Sequence, residues 1–148
     1  MATLLTLTFS QPSLRLEPGD VLIKEGDPGG DLYVLESGRL RVERDGVTLA
    51  TISSAGALIG EMSVLLGTEN TATVRAEKPT LVRVVKDALA YLERQPLVAL
   101  RVAMLLSQRL DATSALLVEA QKQVARGKPP EPNGVFGRLM ATVSGEKS

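Results

Sequence analysis

The sequence predicts a mixed α+β domain: an antiparallel β-roll, jelly-roll-like or barrel-like, over about residues 13–85, then a short helix and a long C-terminal helix. Two observations carry this reading. Up to about residue 85, turn signals recur every several residues: Pro18-Gly19, Asp27-Pro28-Gly29-Gly30, Gly38, Asp45-Gly46, Gly56 and Gly67-Thr68. Beyond it the pattern changes to helix, and residues 97–126 contain neither glycine nor proline.

Short strand-like runs lie between the turns. Val21-Leu22-Ile23 comes first and ends at the Asp27-Pro28-Gly29-Gly30 turn. Leu40 and Val42 alternate with Arg39, Arg41 and Glu43, the period of two expected of a half-buried strand. Asp45-Gly46 is a two-residue hairpin signal, and Val47 to Ile52 is the returning strand. The charges of the LRVERDG stretch are read as the wet face of that hairpin. Ala72 and Val74 alternate with Thr73 and Arg75, and Leu81 to Val85 closes the series. Many short strands at such spacing indicate a sandwich, jelly roll or barrel.

Asp87 stands where an N-cap is expected for a helix over about 87–95, which ends before Pro96. The run from Leu97 to about Arg126 would be roughly 45 Å long as a helix. From Leu97 to Leu106 only Arg101 is charged, so that half is expected to be buried nearly all round. In the distal half Ala103, Leu106, Leu110, Thr113, Leu117, Ala120 and Val124 follow a spacing of 3 and 4, a seam of about three heptads. A helix overhanging so small a domain suggests pairing with a second copy. Gly127 is a helix stop, KPPEPNG a linker, and the tail to Ser148 is read as disordered. Residues 1–126 are thereby one domain and 127–148 an extension.

Composition narrows the function. The 148 residues carry 17 basic and 17 acidic side chains, so no net charge draws the chain to nucleic acid or an anionic membrane. There is no cysteine and no histidine, which excludes disulfides, thiolate sites and the commonest general base near neutral pH. Paired catalytic carboxylates are not evident, and an enzyme is not expected. The N-terminus lacks a basic leader region and no run approaches about 18 apolar residues, so a cytoplasmic protein is expected.

Two stretches carry a resemblance. LEPGDVLIKEGDPGGDLYVLESGRLRV and GEMSVLLGTENTATVRA, followed by a short and a long helix, resemble the cyclic-nucleotide-binding domain of the bacterial catabolite activator and of protein kinase A regulatory subunits. The resemblance covers about residues 14–126. It implies a phosphate-binding cassette at 60–76, a bound cAMP or cGMP with no other cofactor, and a dimer through the long helix. Gly60 would allow close backbone approach, Glu61 would accept from the ribose 2′-hydroxyl, and backbone amides near Met62 and Ser63 would face the phosphate. Thr71 and Ala72 continue the cassette. Arg109, Thr113 and Ser114 match residues that close the site over the nucleotide and its base.

One departure stands out. The family's phosphate arginine falls nine residues after the glutamate, and counting from Glu61 gives Asn70. Glu69 precedes it. An amide offers neutral donors where a guanidinium offers a charged fork. The implied function is a regulatory module sensing a cyclic nucleotide, cAMP ahead of cGMP, and passing the signal to a protein partner. The alternative is a degenerate pocket kept for dimerisation or for another small ligand. Only about 20 residues follow Gly127, so no DNA reading by this chain is expected.

Overall fold

The computed structural model describes residues 3–127. The linker and disordered tail expected from the sequence lie almost wholly outside these residues. Eight strands and four helices follow in the order α1 (Leu4–Leu7), β1 (Ser13–Leu16), β2 (Val21–Ile23), β3 (Leu32–Ser37), β4 (Leu40–Arg44), β5 (Val47–Ile52), β6 (Leu58–Ile59), α2 (Glu61–Leu66), β7 (Thr73–Ala76), β8 (Thr80–Val85), α3 (Ala88–Arg94) and α4 (Pro96–Ala125). The strands form two four-stranded antiparallel sheets, β1-β8-β3-β6 and β2-β7-β4-β5. The roll is therefore a pair of sheets and not a closed barrel.

Period-2 alternation explains how the layers stack. Leu35, Val82 and Val84 of the first sheet meet Leu40, Val42 and Val74 of the second in one apolar cluster. The opposite face of the first sheet, with Leu32, Val34 and Val85, packs on Leu4, Leu92, Val98 and Val102 of the helices. Strand β3 is thus buried on both faces, which is why it reads as a nearly continuous apolar run. The β4–β5 hairpin turns at Asp45 and Gly46, both with positive φ (52° and 76°), as a two-residue loop matched to strand twist requires.

Two expectations need correction. Asp87 occupies the position before α3 but caps nothing, because its left-handed backbone (φ 46°, ψ 60°) differs from the extended conformation an N-cap uses. The Ala88 amide donates instead to the Gly30 carbonyl at 2.9 Å. The proximal half of α4 is not buried all round: Val98 and Val102 are, while Leu97 and Leu100 are 65% and 49% exposed. Within one chain the helix lies against a single layer, so only one stripe is covered. The N-terminal apolar run forms a short helix packed on β3 and α4, a role that its brevity hid. No helix among the described residues is long and apolar enough to cross a membrane.

Arg83 ties the first sheet to the N-terminal segment. Its guanidinium donates to the Leu5 carbonyl at 3.1 Å and pairs with Glu36, which also accepts from Ser13 Oγ at 2.8 Å. The Arg83 hydrogen bond, assisted by that of Ser13, holds the Glu36 carboxyl below the usual range against an opposing effect of burial. A carboxylate so depressed adds stability that is complete above its unfolded value of about 4.3 and is lost as pH falls through its folded value. Glu36→Gln should therefore lower stability at pH 7 by about 1 kcal/mol and flatten the acid limb of stability below about pH 4.5. Urea melts at pH 7 and pH 3.5 check both effects.

Candidate functional site

At one end of the roll, β2, β4, β5, β6, α2 and β7 enclose a cavity of about 250 Å³. Val42, Ile52, Leu58, Ile59 and Val74 form its apolar wall, and Gly60 to Ser63 and Asn70 to Ala72 line the rest. Local backbone chemistry builds the first of these segments. Gly60 has φ 88°, and a Cβ there would come 2.8 Å from the Asp31 carbonyl oxygen. Only glycine meets both demands without strain. The chain then enters α2 with Glu61 in its first turn. Gly29 lets the β2–β3 loop pass against α2, since a Cβ on it would lie 2.5 Å from the Ser63 Cβ. Ser63 is buried and donates to the Gly60 carbonyl at 3.1 Å, while Met62 is half exposed at the rim.

Glu61 is the site's buried carboxylate, 8% exposed. It pairs with Arg109 of α4, whose second terminal nitrogen donates to the Leu58 carbonyl at 3.3 Å. One guanidinium therefore spans the cavity floor, the cassette and the long helix.

The segment 68–71 is stitched to the β2–β3 turn. The Asn70 amide donates to the Asp27 carbonyl at 3.0 Å, the Gly26 amide to the Asn70 carbonyl at 2.9 Å, and Glu69 bridges Pro28. Asn70 Nδ2 donates to the Lys24 carbonyl at 3.3 Å. One of its two side-chain donors is thus engaged in holding the turn. Thr71 is exposed at the cavity mouth and Ala72 half-buried.

Eight of the ten sequence-predicted residues thus gather here: Gly60, Glu61, Met62, Ser63, Asn70, Thr71 and Ala72 on the cavity, with Arg109 behind Glu61. Thr113 is half-buried and Ser114 exposed, and neither lines the cavity. Arg75 points away from it, to the Gly19 carbonyl at 3.0 Å and to Glu43, as strand alternation requires. The residue missed by the sequence reading is Arg44, which lines the cavity mouth. The signal was the Leu40, Val42 alternation carried one step further.

A two-sheet roll, a glycine-initiated cassette and two closing helices are on view, and the sequence profile of the cyclic nucleotide-binding domain matches residues 13–92, more than half of the chain. The chain belongs to the cyclic nucleotide-binding domain family. Members of this family act as ligand-binding regulatory domains. The chain is 46% identical over 57 residues to a cGMP-dependent protein kinase of Drosophila melanogaster, a match covering 38% of this chain and 5% of that kinase. Among solved structures it resembles the catabolite activator protein of Thermus thermophilus, with 28% identity and a TM-score of 0.61, over 94% of this chain and 78% of that one. It also resembles the regulatory subunit of a cAMP-independent protein kinase A from Trypanosoma brucei. That structure is a triple variant, one change placing arginine for threonine, bound to cAMP in its A site (26% identity, TM-score 0.58, 70% of this chain and 39% of that one).

Breaking the Glu61–Arg109 pair tests its place in this cyclic nucleotide-binding domain. Arg109→Met should cost about 2–3 kcal/mol, less than a fully buried pair because the side chains keep 18% and 10% exposure. A second change, Glu61→Gln, removes the stranded charge and should recover part of that loss. Denaturant midpoints of the single and double variants check the coupling.

Proposed function

We propose that this domain senses a cyclic nucleotide, cAMP ahead of cGMP, and reports its binding through α3 and α4 to a protein partner. The observation carrying the reading is the Glu61–Arg109 pair. Glu61 offers a charged acceptor to a ribose hydroxyl, and its cation sits on the helix that leaves the roll. A ligand hydroxyl on Glu61 alters the environment of Arg109, and so the relative energies of two α4 positions. The ligand shifts populations only by its different affinity for the two. Thr113 and Ser114 act in the closed arrangement, where α4 lies across the ligand.

The distal α4 seam supports a homodimer. Leu110, Leu117 and Val124 are 68%, 49% and 66% exposed in the single chain and recur every seven residues. The setting is cytoplasmic. No chemistry is assigned to the chain beyond binding.

A second reading, a pocket that no longer takes a cyclic nucleotide, is favoured by Asn70, whose amide is engaged with Lys24. The trypanosome regulatory subunit, whose arginine-bearing variant holds cAMP, gives this reading weight.

Calorimetric titration with cAMP and cGMP separates the two. Under the proposed function the unmodified domain binds at micromolar affinity. Asn70→Arg should then tighten binding about 10- to 100-fold, the equivalent of one charged hydrogen bond of roughly 1.5–3 kcal/mol. Binding by the variant alone supports the second reading, and binding by neither rejects the sensing function.

A further inference from the structure

We propose that Arg44 supplies the guanidinium that position 70 lacks, reaching the ligand's phosphate from the β4–β5 hairpin. The inference rests on the cyclic-nucleotide reading and names the residue that holds the anion.

Placement comes first. Arg44 ends β4, two residues after buried Val42 and on the same face. The alternate residues, Arg41 and Glu43, lie outside the roll, where they pair with each other at 2.6 Å. The β4–β7 ladder pairs Val42 with Val74 and Glu43 with Thr73. The ladder ends there, and just beyond it Arg44 lines the same cavity as Ala72, Thr71 and Asn70. These are the cassette residues that resemblance assigns to the phosphate. Arg44, Asn70 and Thr71 together line both the cavity and an outer hollow that shares these residues with it.

Charge is the second argument. Among the described residues Arg44 is the single cationic side chain lining the cavity, as Glu61 is the single carboxylate. An anion entering an apolar space needs a charged partner. Arg15, Arg39, Arg41, Arg75 and Arg83, the roll's other arginines, each pair with a carboxylate. The Arg44 side chain has neither ion pair nor hydrogen bond among the described residues, although Glu25, Asp45 and Glu69 line the outer hollow with it. Its five donors are uncommitted.

Rigidity is the third. The hairpin tip is held by its tight turn and by the Asp45 amide, which donates to Glu25 Oε1 at 3.3 Å. Glu25 adjoins Gly26, whose amide bonds Asn70. The hairpin and the cassette are thus laced to the same turn, and the Arg44 backbone is fixed relative to the site.

The test is titration of the unmodified, Arg44→Gln and Arg44→Lys domains with cAMP, and with adenosine as a competitor that has no phosphate. Arg44→Gln should weaken cAMP about tenfold or more, the loss of one charged hydrogen bond. Arg44→Lys should fall between, having the charge without the fork. Adenosine affinity should stay unchanged, which a change in pocket shape would not allow. Equal cAMP affinity of the unmodified and Arg44→Gln domains overturns the proposal and leaves the sensing function standing. Equal losses for cAMP and adenosine also overturn it, since the effect is then one of shape. If the unmodified domain does not bind cAMP while Asn70→Arg does, Arg44 is no substitute, yet the pocket is sound. If neither binds, the proposed function itself falls.

Discussion

A carboxylate buried at the edge of an apolar cavity demands a cation, and Glu61 finds its cation on a different part of the fold. The guanidinium of Arg109 also takes the Leu58 carbonyl, so the long helix is fixed to the roll at the site itself. Desolvating two charges costs several kcal/mol unless their geometry is good and their remaining donors are used. That condition constrains the rest. The cassette must start at Gly60, β6 must end beside it, and α4 must cross the roll within reach of both.

The two apolar clusters make this constraint consequential. One lies between the sheets and is complete without the helices beyond residue 85. The other joins the first sheet to α1, α3 and α4 through Leu4, Tyr91, Leu92, Val98 and Val102. A domain so divided can re-seat its helices while the roll keeps its own core. The Glu61–Arg109 pair is the polar link between roll and helix at the cavity, so chemistry in the cavity has a direct route to the helix layer.

Much of this was legible in the residues. Turn glycines and period-2 runs located the roll, because a strand buried on one face must alternate. The Asp45-Gly46 signal gave its hairpin because few residues tolerate positive φ twice in succession. The cassette was legible through its order of residue types. Partners distant in sequence were not. The engagement of Asn70 with Lys24 depends on how two loops lie together, and no local pattern encodes that. Arg44 is exposed, as a charge at a hairpin end usually is, and the reading stopped one step short of the alternation that sets it at the cavity mouth. The proximal half of α4 was overjudged because apolar content says what a face prefers, while neighbours decide what is covered.

The short N-terminal helix stands between the two layers. It packs on α4 and β3, yet its Leu5 carbonyl is held by Arg83 of the first sheet. Any travel of α4 must therefore either drag this turn off its anchor or slide past it. Under the proposed function the amino end of the domain would be a friction point on α4, and the stiffness of the response would be set there, away from the cavity.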